Sequence, residues 1–174
     1  TPLLRPLMDE AERVLALMPA RQGVISWPKE GPNRTALVDE TALPLPDASM
    51  DRVLLVHAVE CATDPDLLLE EAWRVLVGNG RLMVIVPNRS GLWAQSDATP
   101  FGHGAAFSAR QLKTLLKDHL FIPERATRAL FTPPSGAAFW IRTAPLWERL
   151  GQRWCGALAG VHIVEASKHL YAPT

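Results

Sequence analysis

Apolar residues in this chain gather in short continuous runs rather than in strict alternation. Val14–Met18, Thr35–Val38, Arg52–Val59 and Arg81–Val86 are each Leu-rich or β-branched and bounded by turn residues. Unbroken apolar character over so few residues predicts strands buried on both faces, as in a parallel sheet. Helical periods alternate with these runs. Over Pro65 to Leu76, residues Leu68, Ala72, Val75 and Leu76 mark one apolar face, with Glu70 and Glu71 preceding Arg74. Asp64 is placed to cap that helix and Pro65 suits its first position. Gly78 and Gly80 are expected to stop it and turn the chain into the next strand. A second helix opens at Ser108, where Ser108-Ala109-Arg110-Gln111 has capping-box spacing and Leu112, Leu115, Leu116 and Leu120 form the stripe.

Alternating strands and helices predict an α/β fold, a Rossmann-like doubly wound, mostly parallel sheet in a single domain over residues 1–174. Ala126–Thr132 and Val161–Tyr171 read as two further strands that close the sheet as an antiparallel hairpin. Between them a Trp-rich stretch carries Leu146, Trp147, Leu150, Trp154 and Leu158 at helical spacing, which predicts a helix over Pro145–Leu158 whose stripe serves core or covering packing, or else a substrate or partner surface. Thr1–Glu12 also looks helical.

Charge narrows the classes. Lys+Arg and Asp+Glu both number 18, so nothing marks a nucleic-acid footprint. No apolar run reaches the roughly 20 residues of a membrane helix, and no signal segment opens the chain. Cys61 and Cys155 share no metal-ligand spacing and read as reduced, packed thiols, which points to a cytoplasmic protein and to no metal.

Two segments carry a family resemblance. Val38-Asp39-Glu40-Thr41-Ala42-Leu43-Pro44-Leu45-Pro46-Asp47-Ala48-Ser49-Met50-Asp51-Arg52-Val53 resembles the central signature of the UbiE/BioC-like class I methyltransferases, with Leu45 and Met50 in place of aromatics. Glu70-Glu71-Ala72-Trp73-Arg74-Val75-Leu76, followed by Gly78-Asn79-Gly80-Arg81-Leu82, is similar to that family's helix-to-strand turn. Val161–Lys168 resembles its closing strand. The resemblance implies a seven-stranded sheet with S-adenosylmethionine across the carboxyl ends of its strands, where open α/β sheets bind ligands.

On that resemblance Asp39, ending the third family strand, would accept a hydrogen bond from the adenine amine, with the Glu40 backbone against the ring and Thr41 among the cofactor-binding residues. A turn-forming or capping aspartate is the plainer alternative. Family members hold the ribose with an acidic residue at the end of the second strand, whereas this chain has Met18 at or near that place. Methionine accepts no strong hydrogen bond, a loss of ~1.5–3 kcal/mol for each bond to a charged group. The glycine-rich turn that lets the cofactor approach is also missing before Arg13. Either upstream residues supply it, or the protein is a degenerate relative.

His57, beyond the fourth family strand, would lie at the methionine end of the cofactor, lining the transfer site or packing under the sheet edge. Pro87 to Phe107 separates a strand from a helix by 21 residues. That exceeds the ~12–15 at which structureless loops become uncommon and often functional. As a lid over the acceptor it would bring His103 as a base and Arg89 and Trp93 as substrate contacts. Otherwise it is a surface loop packed through Trp93 and Phe101. His119, His162 and His169 read as structural or exposed.

The reading favoured is S-adenosylmethionine-dependent methyl transfer to a small-molecule acceptor. A non-catalytic methyltransferase-like scaffold or regulatory partner is the alternative, supported by Met18 and by six tryptophans. A nicotinamide-dependent enzyme fits less well, for want of a G-x-G-x-x-G fingerprint.

Overall fold

Strands β1 (Ala16–Pro19) and β2 (Thr35–Val38) lie parallel, in register from Ala16 opposite Thr35 to Pro19 opposite Val38. They belong to the smaller of two compact units, Thr1–Leu45 and Pro46–Thr174. The computed structural model describes residues 10–20, 23–89, 107–131 and 159–170. Asn33 organises the approach to β2. Its Oδ1 accepts from the Trp27 and Thr35 amides and from the Thr35 hydroxyl, the last at 2.7 Å.

Among the described residues the larger unit carries a four-stranded sheet in the order β3-β4-β6-β5. Its strands are β3 (Met50–Val56), β4 (Leu76–Pro87), β5 (Phe121–Ala129) and β6 (Val161–Lys168). β3 and β4 are parallel, joined by helix α1 (Pro65–Val75), and β6 runs antiparallel between β4 and β5. Helix α2 (Ala109–Asp118) precedes β5. The α/β class and the antiparallel closure match the sequence reading. The six strands divide into two sheets, however, because no ladder among the described residues joins β2 to β3.

Local chemistry explains both helix starts. Asp64 accepts from the amides of Asp66 and Leu67, and Pro65 takes a first-turn position where no amide partner is needed. Ser108 and Gln111 form the reciprocal capping box. Leu68, Leu69 and Ala72 of α1 and Leu112 and Leu116 of α2 are buried in one cluster with Leu82, Val84 and Val86 of β4, Phe121, and Val164 and Ala166 of β6.

Several boundaries differ from the sequence reading. Helix α1 ends at Val75 with Leu76 already extended, and the Gly78–Gly80 stretch lies within β4 as a register shift that passes from Leu76 opposite Met50 to Arg81 opposite Arg52. Asn79 supplies the positive φ, 62°, while a Cβ on Gly80 would stand 2.9 Å from the Val77 carbonyl oxygen. Gly80 thus serves close approach rather than helix termination. β5 starts at Phe121 instead of Ala126, and its Pro123 is accommodated because, among the described residues, β5 pairs only with β6 and shifts register between Pro123 and Arg125.

At the amino end of β4, Lys168 is buried. Its Nζ donates to the Leu76 carbonyl at 2.6 Å and stands 3.8 Å from the centre of the Trp73 ring. Burial pushes its pKa down, and the charge of Asp47 partly opposes that. Beside it Arg74 grips Glu71 through Nε and Nη2, each at 2.8 Å, and reaches Asp47 at 2.6 Å. The Thr1–Glu12 helix expected from the sequence lies outside the described residues up to Asp9, and Glu10–Glu12 are not helical. The Pro145–Leu158 helix lies outside them altogether.

Candidate functional site

In the smaller unit the residues expected to meet the cofactor gather at one end of the β1–β2 pair. Asp39 follows β2 directly, and its Oδ1 accepts from the Thr41 amide at 2.9 Å and the Thr41 hydroxyl at 2.8 Å. The Ala42 amide donates to the Asp39 carbonyl at 3.2 Å. Those two bonds to Thr41 hold the exposed carboxyl below its ordinary pKa, so it stays ionised. Thr41 therefore positions Asp39, and the turn occupies one carboxylate oxygen, Oδ1. Glu40 is half-buried beside it. Met18, also half-buried, is the penultimate residue of β1 and sits opposite Leu37. Met18 thus stands one residue before the end of β1, which runs one residue further than the sequence suggests.

In the larger unit the carboxyl ends of β3 and β4 form a second cluster. His57 leaves β3 with φ 53°, a left-handed conformation uncommon outside glycine, while its amide donates to the Ile85 carbonyl at 3.0 Å. β3 therefore stops at Val56, short of the predicted Val59. The turn that follows brings Glu60 back onto the imidazole, with Nδ1 and Oε1 2.6 Å apart. The His57 side chain is 40% exposed, that of Glu60 only 2%. Glu60 Oε2 is buried without a hydrogen-bond partner. Sequence reading passed over Glu60. A His and a Glu three residues apart just after a strand were the signal, but the pairing depends on the backbone reversal at His57. Cys61, expected to be packed, is exposed, because the same turn carries it outward. Cys155 lies outside the described residues.

Beyond β4, Asn88 is buried and fastened twice. Its amide donates to the Gly160 carbonyl and its Nδ2 to the Ala159 carbonyl, both at 2.9 Å. Asn88 also bridges to Phe107 in parallel, and the Arg89 amide donates to the Phe107 carbonyl at 3.2 Å. Arg89 is exposed at this edge. Trp93 and His103 lie outside the described residues. The structure thus groups Met18 with Asp39–Thr41 in one unit, and His57 with Glu60 in the other.

His162, opposite Val86 on β6, is buried, and burial together with the charge of Arg128 holds its imidazole below the ordinary value of 6.5. The unfolded chain therefore takes up this proton first as pH falls. Stability attached to His162 is intact above about 6.5, declines below it, and levels off past the folded-state pKa. The urea midpoint is expected to be lower at about pH 5.5 than at about pH 7.5, with a smaller difference in His162→Gln. Among the described residues no group of three or more His, Cys, Asp or Glu could hold a metal ion, and no helix is long and apolar enough to cross a membrane.

Comparison with known proteins adds a family match over part of the chain. Residues 3–84 match the family model described as a methyltransferase domain. Two Mycobacterium tuberculosis proteins, each named a probable S-adenosylmethionine-dependent methyltransferase, are 40% identical over 82 residues, or 46% of this chain and 30% of each relative. The match thus spans less than a third of the length of these curated relatives. A Thermotoga maritima S-adenosylmethionine-dependent methyltransferase superposes with a TM-score of 0.56 at 21% identity, over 77% of this chain and 63% of that one. An Archaeoglobus fulgidus enzyme of the same description gives 0.55 at 21%, over 80% and 70%. The Streptomyces coelicolor geranyl diphosphate C-methyltransferase, solved with S-adenosyl-L-homocysteine, gives 0.52 at 14%, over 78% and 52%. These solved structures share the fold. The match to the methyltransferase-domain model takes in β1, β2, β3 and α1 and runs into β4.

Proposed function

We propose that the protein to which this chain belongs transfers a methyl group from S-adenosylmethionine to a small-molecule acceptor, and that the two units form parts of one methyltransferase domain. The observation that carries the reading is the family match over residues 3–84, which takes in β1, β2 and the Asp39 turn. The Leu43–Asp51 and Glu70–Leu82 segments support a UbiE/BioC-like assignment within the class. A small acceptor is in keeping with the geranyl diphosphate enzyme that shares the fold.

The residues present fit the adenosine end of the cofactor. Asp39 is exposed and ionised, and its turn leaves Oδ2 outside the bonds to Thr41, so a carboxylate oxygen is on hand for an exocyclic amine. When bound, the cofactor supplies a methyl group made electrophilic by the attached sulfonium. The chain's task is then chiefly to align donor and acceptor and to exclude water, which accounts for much of the rate in such displacements.

Met18 favours the alternative, a methyltransferase-like partner protein without catalysis, since a thioether contributes little to holding ribose hydroxyls. Calorimetry of the full-length protein with S-adenosylmethionine separates the two. The enzyme reading expects saturable binding that Asp39→Ala weakens roughly ten-fold or more, the worth of a hydrogen bond to a charged group. Absence of binding by the unaltered protein would reject that reading in favour of the scaffold.

A further inference from the structure

The residues of α2 divide by face. At about 3.6 residues per turn Leu112, Leu115 and Leu116 fall on one side, the side that enters the core cluster. Arg110, Lys113 and Lys117 fall together on the other, all exposed. Asp118, one residue on from Lys117, lies round the flank and off this stripe. Among the described residues none of the three cationic side chains has an ion pair or a hydrogen bond. The stripe does nothing for the helix that carries it. Lys113 and Lys117 are like charges at i, i+4, and Arg110 stands in a first turn without an acidic residue, at the positive end of the helix dipole.

α1 repeats the arrangement with the opposite sign. Asp66 and Glu70 are like charges at i, i+4, both exposed, and Leu67 beside them is 44% exposed. The two helices pack into the same cluster on one face of the sheet, through Leu68, Leu69 and Ala72 of α1 and Leu112 and Leu116 of α2. Their ends meet where Asp66 Oδ1 stands 3.4 Å from His119 Nε2, but among the described residues no ion pair joins the acidic pair to the basic stripe.

We propose that this helical layer is the interface with a second copy of the chain, with α2 of each copy lying along α1 of the other about a two-fold axis. A two-fold axis uses every patch twice, so it requires a face that holds both halves of the match, as this one does. The basic stripe of one copy meets the acidic pair of the other, and the same contact recurs across the axis. Two like-charge pairs, each unfavourable in the lone chain, are thereby neutralised. Ala109 and Thr114, small residues among the cations, give the partner a seat. With Arg110, Lys113 and Lys117 they line an open depression of about 360 Å3 into which a carboxylate side chain fits. Leu67 adds apolar surface beside the carboxylates.

Sedimentation velocity of the full-length protein tests this. The unaltered protein is expected to dimerise, with a Kd that rises ten-fold or more between ~0.05 and ~0.5 M NaCl as exposed charges are screened. The double variant Lys113→Glu, Lys117→Glu and, separately, Glu70→Lys should each raise Kd about ten-fold or more at the lower salt, because each sets like charge against like. All three positions are exposed, so the fold tolerates the exchanges. Mixing the two variants should bring the dimer back. The reversed stripe of one then faces the reversed carboxylate of the other, and the second contact is native on both sides. A monomer at every concentration up to ~100 µM, a dimer indifferent to both reversals, or a mixture that stays monomeric would overturn the proposal. A monomer that binds phosphatidylserine vesicles through Lys113 and Lys117 would overturn it too, and would give the stripe to an anionic surface.

Discussion

Replacing Phe121 by alanine is expected to lower the unfolding free energy by about 3–5 kcal/mol. The ring is 1% exposed and belongs to the cluster formed by α1, α2, β4 and β6. It is the first residue of β5 and follows Leu120, whose φ of 60° reverses the chain out of α2. The fixed reversal leaves neighbouring side chains little freedom to collapse into the space, which puts the cost toward the cavity-forming end of the range. Domains of ordinary stability have about 5–15 kcal/mol to lose. Urea unfolding should show a lower midpoint with an unchanged slope, and equal stability to the unaltered protein would disprove the packing account.

Lys168→Ala is expected to cost about 1.5–3 kcal/mol, the worth of a hydrogen bond to a charged group. Burial works against this ammonium, as its depressed pKa records, but the Leu76 carbonyl at 2.6 Å and the Trp73 ring at 3.8 Å work for it. Truncation removes both attractions and strands a carbonyl in the dry interior. Lys168→Met should lose less, because it keeps the stem against Trp73 and sheds the desolvated charge. A methionine variant weaker than the alanine variant would show that the stem against Trp73 contributes nothing. Phe121 and Lys168 are direct cross-strand partners. Their losses should therefore depart from additivity by about 0.5–3 kcal/mol in a double-mutant cycle.

Those two positions also show what the sequence concealed. Helix starts were legible because caps are local: Asp64 and the Ser108–Gln111 box act within three residues of themselves. Parallel strands showed as apolar runs, since burial on both faces leaves no alternation to read. β5 was cut short because Pro123 and its charged neighbours argue against a strand. They are tolerated only at a sheet edge with a register shift, a fact of pairing rather than of composition. The Asp39 carboxylate was legible from its place after an apolar run. Its turn with Thr41 was the plainer alternative, and the structure shows that bond while leaving adenine recognition to the calorimetric test. Glu60 went unnoticed because nothing before the fold reveals that the chain doubles back at His57.

The bridge between Asn88 and Phe107 carries a further consequence. Two points of chain separated by 17 intervening residues, 90–106, are moored side by side on the framework. With both moorings held by the framework, the pairing of the sheet does not depend on the length of chain between them. Asn88 and its carbonyl partners at residues 159 and 160 thus act as a socket. Descendants of this protein can exchange what is plugged into it, longer or shorter, without renegotiating the stability of the sheet beneath.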